Sequence, residues 1–113
     1  MRLSPYSEPE PDVAILRFRD DFYRTAKAGP ADVLLLIEVA RSSLDYDRHI
    51  KLPLYAAAGI IEVWLVNLVA QVVEVYRDPA PEGYRRHTVH GRGESIALLA
   101  LPDVAVAVAE ILG

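Results

Sequence analysis

Two carboxylates and one lysine stand at places in this sequence where a charge is costly unless something compensates it. Glu38 directly follows five large aliphatic residues, and Asp12 opens an earlier apolar run over residues 11–16. An ionised carboxylate at the edge of a core costs several kcal/mol unless it is paired or bound to a metal. Asp47 and Lys51 follow, four residues apart, in a segment with helical periodicity. Acids and a lysine beside adjacent strand ends are typical of metal-dependent phosphodiester hydrolysis.

These residues are set among alternating predicted strands and helices. We predict strands over residues 12–18, 33–40, 62–68, 72–77, 84–89 and 96–99, and helices over residues 44–58 and 103–112. Residues 33–40 show no polar alternation and are predicted to be a fully buried central strand. Residues 1–10 are predicted as an irregular arm and residues 19–30 as a charged loop. The fold class is therefore α/β (α+β): a central mixed β-sheet flanked by helices, in one domain over residues 1–113.

Three residues mark helix boundaries. Gly59 is predicted to end the first helix, and Asp103 to cap the start of the last one. Pro53 removes one helical hydrogen bond, so it is expected to kink the first helix or to mark its true start.

The first predicted helix has two distinct faces. Asp47, Lys51 and Tyr55 share one face at a spacing of i, i+4, i+8, and we expect this polar stripe at the rim of the sheet. The neighbouring face is apolar and is predicted to pack on the sheet; it consists of Tyr46, Ile50, Leu54 and Ala57. The alternative for Asp47 and Lys51 is an exposed ion pair worth about 0.3–0.5 kcal/mol.

Composition limits the class of protein. The chain is 52% hydrophobic with a mean hydropathy of +0.17, and its formal net charge is −4, which is not that of an ordinary basic nucleic-acid binder. It has no cysteine, no apolar run long enough to span a membrane and no signal-peptide pattern, so we expect a cytoplasmic protein. Basic residues concentrate over residues 85–92, and a solvated strand face is the more favoured interpretation of that stretch.

The motifs taken in order resemble the Uma family of restriction-endonuclease-like bacterial proteins, which belongs to the PD-(D/E)XK nuclease superfamily. The resemblance is carried by Pro11-Asp12-Val13, Ile37-Glu38-Val39, the segments over residues 46–60 and 62–66, Val73-Glu74-Val75-Tyr76-Arg77 and the closing residues 98–112. It runs from about residue 9 to the C-terminus. Each short motif alone is weak, whereas the ordered set is specific.

The resemblance implies a restriction-endonuclease-like core and a Mg²⁺-dependent endonuclease that cuts DNA, with Mn²⁺ as a substitute metal. It implies that Asp12 and Glu38 are metal ligands, that the carbonyl of Val39 adds a third oxygen, and that Asp47 orients Lys51. The superfamily places a catalytic lysine two residues after the glutamate, where this chain has Ala40. In Uma-like sequences a helical lysine takes over that role, and Lys51 matches its position.

The acids also allow other interpretations. Asp12 after Pro11 could be a turn residue, and the family commonly has an acid where Asn67 stands. Trp64 is predicted to belong to the core. Uma-like proteins carry a further N-terminal portion before the segment that begins here, so the resemblance implies a short form with an uncovered edge or face. A catalytically inactive nuclease-like fold that serves as an interaction or assembly module therefore stays open as the alternative function.

Two physical expectations follow from these interpretations. Repulsion between Asp12 and Glu38 should raise the pKa of one carboxyl group in the absence of metal. The aliphatic residues 98–101 and 104–112 should leave apolar surface without cover, so we expect a homodimer with an isologous interface of about 1,000 Å² or more.

Overall fold

The computed structural model describes residues 12–17, 29–41 and 44–113. The predicted arm over residues 1–10 and most of the predicted loop over residues 19–30 lie outside these ranges. Five strands form one sheet in the order β1-β2-β3-β4-β5. Their bounds are Val13–Leu16, Val33–Ala40, Glu62–Asn67, Val72–Ala80 and Gly83–His90. The sheet is mixed, because β2 and β3 are parallel while the other neighbours are antiparallel, and the predicted α+β class is confirmed.

The strand register aligns side chains in rows across the sheet. Glu38 of β2 lies opposite Leu65 of β3, Leu65 lies opposite Glu74 of β4, and Glu74 lies opposite Val89 of β5. Partners in neighbouring strands project to the same face. Glu38 and Glu74 therefore share one face of the sheet, two strand spacings or about 9.5 Å apart along the row.

A continuous helical run over residues 44–57 makes the crossover that a parallel strand pair requires. It consists of α1 (Leu44–Tyr46), a π-helical turn (Asp47–Lys51) and α2 (Leu52–Ala57). Pro53 stands in the first turn of α2, which agrees with the prediction that this proline kinks the helix or marks its true start. The wider turn just before it relieves the clash between the proline ring and the preceding carbonyl groups. Gly59, at φ +81°, ends the run as predicted.

The helical run turns a different face to the sheet than its apolar pattern predicts. Three of its residues in α2 are buried on the sheet: Leu52, Tyr55 and Ala56. The predicted packing face is instead turned to solvent, with Tyr46 56%, Ile50 47% and Leu54 37% exposed, and Ala57 exposed as well. The prediction that these four residues pack on the sheet is wrong.

Charge on the sheet explains this orientation. The face beneath the helical run carries Glu38 and Glu74, and both are buried. Lys51 reaches the first carboxylate and Arg48 reaches the second, so the run rests on the sheet with its cationic side. Leaving two buried carboxylates without partners would cost more than exposing a few apolar side chains. The polar stripe is thus buried rather than at the rim, and Asp47 is only 2% exposed.

The opposite face of the sheet is covered by the C-terminal segment. A hairpin of β6 (Ser95–Ala97) and β7 (Ala105–Ala107) precedes a short helix, α3 (Val108–Leu112). The sheet and this segment together form an apolar cluster on that face. Its buried members are Leu35, Trp64, Val66, Val73, Val75, Ile96, Leu98 and Val108. Trp64 is 1% exposed, which confirms its predicted place in the core.

Two predictions for this C-terminal segment are wrong. Residues 96–99 do not extend the main sheet, because β6 pairs with β7 in a separate two-stranded sheet. The last helix starts after Ala107 rather than at Asp103. Valine at every second position, in Val104, Val106 and Val108, suits a strand, since β-branched side chains are stiff in a helix and pack well on a pleated surface. Within the described residues, no helix is long and apolar enough to cross a membrane.

Candidate functional site

Glu38 is held by two donors beneath the helical run. Its side chain is 3% exposed; Tyr55 Oη donates to Oε1 at 2.5 Å, and Lys51 Nζ donates to Oε2 at 3.2 Å. Burial is the largest influence and raises the pKa of this carboxyl group, while the contacts from Tyr55 and Lys51 lower it and Asp12 raises it further. The net pKa is raised. The predicted contribution of Asp12 exists, but burial is the main cause.

Lys51 lies between two buried acids. Its ammonium group is 3.2 Å from Glu38 Oε2 and 3.4 Å from Asp47 Oδ1, and its side chain is 23% exposed. Burial alone lowers the pKa of Lys51, but the charges and hydrogen bonds of Glu38 and Asp47 outweigh burial and raise it above the usual value. Lys51 is therefore a cation that two carboxylates hold in place. The predicted pairing of Asp47 with Lys51 exists, but it is not an exposed surface pair.

Asp12 stands at the edge of the same site. It directly precedes β1, one position beyond the pair formed by Val13 and Ile37, which places it across from Glu38. Asp12 is exposed, and its Oδ2 accepts a hydrogen bond of 2.6 Å from the backbone N–H of Val39. This contact ties the end of β1 to the end of β2. The residues predicted for the site thus lie in one connected neighbourhood: Asp12, Glu38, Val39, Asp47 and Lys51.

The donor set suits a hard divalent cation with few protein ligands. Within the described residues, no group of three or more histidine, cysteine, aspartate or glutamate side chains converges as a metal cage would require. Mg²⁺ is commonly held by one or two carboxylates and keeps several waters, whereas structural zinc needs four nitrogen or sulfur ligands. The carboxylates of Asp12 and Glu38 therefore fit Mg²⁺ or Mn²⁺.

A second buried carboxylate, Glu74, lies on the same face and was missed as a site residue by the sequence analysis. Arg48 donates to it through both Nε, at 3.0 Å, and Nη2, and Tyr76 Oη donates at 2.6 Å. Asn67 Nδ2 donates to it at 3.3 Å. Burial alone raises the pKa of Glu74, but the hydrogen bonds from Arg48, Tyr76 and Asn67 outweigh burial and lower it. Glu74 is thus a firmly ionised carboxylate that anchors the π-helical turn to β4.

Glu62, on the opposite face, shows what a structural buried acid looks like in this protein. It is fully buried and accepts hydrogen bonds from Trp64 Nε1, Arg77 Nε and the backbone N–H of Leu99, at 2.9, 2.7 and 2.9 Å. Through the contact with Leu99, Glu62 holds the segment that follows β6 against the sheet. Since its donors come from the core and from the C-terminal segment, Glu62 belongs to the scaffold.

The alternation of side chains along β4 provides a sequence signal for Glu74, the site residue that was missed. Glu74 and Tyr76 share a face within the apolar run of residues 72–76, which makes Glu74 as costly as Glu38. Tyr55 was already placed on the face of Asp47 and Lys51, yet its contact with Glu38 could not be derived from helix geometry alone. Ala40 is 1% exposed in the core, so no long cation lies there and the lysine reaches Glu38 from the helical run instead.

The fold and this site define an α+β protein in which a mixed five-stranded sheet and one helical run enclose paired carboxylates and cations. The model of the family described as "Uma2: Putative restriction endonuclease" matches residues 1–109, so the chain belongs to this family. No curated protein matches the chain in sequence.

Proposed function

We propose that this protein is a metal-dependent endonuclease that hydrolyses phosphodiester bonds in DNA. One observation carries the proposal: Glu38 is buried near the end of the aliphatic strand β2, across from Asp12 just before β1, and in contact with the cation of Lys51. Membership of a family described as restriction endonucleases supports the choice of substrate. The structural alternative for a buried acid is the arrangement of Glu62. Glu38 differs from it because its donors are Tyr55 and the partly exposed Lys51 of the helical run.

Asp12 and Glu38 are the proposed metal ligands, and the carbonyl group of Val39 is a proposed third oxygen. A bound Mg²⁺ or Mn²⁺ ion would neutralise charge on the phosphate and lower the pKa of a coordinated water. The exposed carboxylate of Asp12 and the partly exposed ammonium of Lys51 keep the site reachable from solvent at the ends of β1 and β2.

Lys51 is proposed to orient the attacking water and to stabilise the negative charge that develops on the phosphate. Its raised pKa favours these roles over that of a general base, because the side chain keeps its proton. Asp47 is proposed to hold Lys51 in position, since Oδ1 is 3.4 Å from the ammonium group. Because Lys51 would take these roles, no lysine is needed at position 40, where alanine packs in the core.

Plasmid cleavage tests the proposal. Wild-type protein with Mg²⁺ or Mn²⁺ should cut plasmid DNA, and Glu38→Ala should not. Glu82→Ala is the matched control, because Glu82 is an exposed acid in the turn between β4 and β5. Calorimetric titration of both variants with the metal should show binding that only Glu38→Ala abolishes. Equal cleavage by wild type and Glu38→Ala would remove Glu38 from the site.

We also propose that the protein acts as a homodimer, which would place one active site at each strand of a duplex. The exposed apolar residues on the outer side of the helical run, Tyr46, Ile50 and Leu54, support an apolar contact. The predicted surface over residues 98–112 supports it less, because Leu98 and Val108 are buried against the sheet. Light scattering at micromolar concentration decides: a mass near 12.5 kDa would contradict the dimer.

A catalytically inactive interaction module is the second candidate. It is favoured by one observation, namely that Tyr55 and Lys51 already bind both oxygens of Glu38 within the chain. Each carboxylate oxygen keeps a second lone pair, so these contacts do not block a metal. The module hypothesis predicts no cleavage and no calorimetric signal for Mg²⁺ or Mn²⁺ with wild-type protein.

A further inference from the structure

The outermost strand of the sheet carries a positive surface on an acidic protein. We call this surface the basic edge and define it by Arg85, Arg86, His87 and His90 of β5 together with Arg92 just after it. Within the described residues β5 has β4 as its sheet neighbour and ends the strand order. No acid occurs in residues 83–93, although the chain as a whole has a net charge of −4; Glu94 follows and lies 3.0 Å from His90, so the uncompensated charge of this surface comes from its arginines.

The arginines of the basic edge differ from the other arginines that contact the sheet. Arg48 and Arg77 are bound to Glu74 and Glu62. In the described part of the chain, Arg85 and Arg86 are exposed and form neither a hydrogen bond nor an ion pair. Arg92 donates to Gln71 Oε1 at 2.6 Å and to Gly113 O at 3.0 Å. Within the described residues, the guanidinium groups of Arg85 and Arg86 thus lack a carboxylate partner, although the chain as a whole has more acids than bases.

The position of Arg86 strengthens this point. It lies directly opposite Arg77 across β4 and β5, so both side chains project to the same face. Arg77 and Arg86 line a surface depression together with Val75, His87 and Thr88. Glu62 already compensates the charge of Arg77, whereas Arg86 has no carboxylate partner within the described residues and leaves an uncompensated positive charge beside the depression. Guanidinium groups match phosphate oxygens in geometry and charge.

The basic edge extends from the Glu38 end of the sheet, where His90 lies, toward the other end, where Arg85 and Arg86 lie. β5 runs parallel to β2, because two antiparallel steps separate it from β3, which is parallel to β2. The row of Glu38 reaches Val89 of β5 across three strand spacings or about 14 Å, and Arg86 precedes Val89 by three residues or about 10 Å along the strand. Duplex DNA carries a phosphate every 3.4 Å or so along each strand. A duplex several base pairs long therefore spans both places.

We propose that the basic edge binds the phosphate backbone of a DNA duplex whose scissile phosphate lies at Asp12 and Glu38. This inference rests on the proposed function for the identity of the ligand. The basic edge supplies the positive charge that the net composition of the chain lacks, and it does so without base contacts, so it sets affinity and orientation rather than sequence preference.

Charged side chains on an outer strand have another known use, which is to prevent sheet edges from pairing with one another. That explanation and DNA binding make different predictions for the variant Arg85→Ala/Arg86→Ala. Under the aggregation explanation the variant self-associates and keeps its affinity for DNA. Under our proposal it loses affinity.

Fluorescence anisotropy with a short labelled duplex tests the proposal, with EDTA present so that cleavage plays no part. Arg85→Ala/Arg86→Ala should bind about tenfold or more weakly than wild type at low salt, and the slope of log K against log salt should fall by roughly 2. Arg17→Ala is the matched control, since Arg17 is exposed at β1, the opposite end of the strand order. It should leave affinity and slope unchanged.

The outcomes separate this inference from the proposed function. Salt-dependent binding by wild type that the double variant loses supports the basic edge, even if no DNA is cleaved. Glu38→Ala should bind the duplex as wild type does while failing to cleave it. The inference is overturned if wild type does not bind, or if the double variant and Arg17→Ala bind equally well.

Discussion

Glu38 and Glu74 lie in the same row of the sheet, on the same face and under the same helical run, yet their carboxyl groups have opposite electrostatic character. The pKa of Glu38 is raised and that of Glu74 is lowered. Burial raises the pKa of both carboxyl groups, and the donors outweigh burial at Glu74 but not at Glu38. Glu74 has a bidentate arginine, a tyrosine and an amide, whereas Glu38 has a tyrosine and a lysine that it shares with Asp47.

This difference teaches how the protein uses buried charge. A carboxylate whose ionised form is fully compensated, such as Glu74, contributes to stability and fixes the helical run on the sheet. A carboxylate whose ionised form is under-compensated costs stability, and such a cost is typical of a functional site rather than of a scaffold. The additional positive charge that Glu38 lacks is what a divalent cation would supply.

The largest expected effect is on the rate of DNA cleavage when Lys51 is replaced. Lys51→Ala should reduce the rate by about 100-fold or more, because the cation beside Glu38 is lost. Lys51→Arg should keep the charge but not the rate, since a planar guanidinium presents a different geometry. Arg48→Lys, the reverse exchange at Glu74, should leave the rate within a few-fold. Initial rates are compared at a temperature where circular dichroism shows each variant folded.

This comparison of Lys51 and Arg48 has a clear contrary outcome. Equal rates for Lys51→Ala and wild type would assign Lys51 to the scaffold, together with Arg48. A loss as large for Arg48→Lys as for Lys51→Ala would make the two carboxylate networks one functional unit.

The next largest effect is on the free energy of unfolding. Glu74→Gln should lower it by about 1–3 kcal/mol, because Arg48 loses a charged and bidentate acceptor. Glu38→Gln should change it by less than about 0.5 kcal/mol or increase it, because an under-compensated charge is removed while Tyr55 keeps an acceptor. Urea unfolding measures both values. Equal destabilisation by Glu38→Gln and Glu74→Gln would show that the two carboxylates contribute alike to the free energy of unfolding.

Much of the fold could be predicted from the sequence because its signals are local. The apolar run of β2, the glycine that ends the helical run and the short apolar runs of β3 and β4 each depend on a few neighbouring residues. The family could likewise be predicted from the sequence, because its motifs follow one another in order along the chain. Family membership is confirmed.

What could not be predicted depends on pairs of residues far apart in the sequence. The orientation of the helical run is decided by Glu38 and Glu74 on the sheet, so the apolar stripe that includes Ile50 points outward against its local pattern. The strand β7 forms only because residues 95–97 are available to pair with it. Glu74 was missed as a site residue because its main partner, Arg48, precedes it by 26 residues.

The pH dependence of stability should differ for the two glutamates. The pKa of Glu74 is lowered from 4.5, so its contribution is complete above the unfolded value and is lost as the pH falls through the folded one. The pKa of Glu38 is raised from 4.5, so its ionised form costs stability at neutral pH, and that cost disappears as the pH falls toward the unfolded value.

Denaturant titrations across pH test this pair of signs. The advantage of wild type over Glu74→Gln should be constant at neutral pH and shrink below about pH 4.5. The difference between wild type and Glu38→Gln should instead change above that pH and level off below it. The same direction of change for both variants would show that the two carboxyl groups titrate alike.

The smallest expected effect comes from the two tyrosines, each of which donates one hydrogen bond to one of these glutamates. Tyr55→Phe removes one of two donors to Glu38, whereas Tyr76→Phe removes one of three side-chain donors to Glu74. We expect Tyr55→Phe to cost roughly 0.5–1 kcal/mol more than Tyr76→Phe, because the remaining partners compensate Glu38 less well. Repeating each change in the matching glutamine background is the control: the cost of Tyr55→Phe should fall when Glu38 is glutamine, since the tyrosine then binds a neutral acceptor. If Tyr76→Phe costs as much as Tyr55→Phe in both backgrounds, the number of donors does not distinguish the two sites.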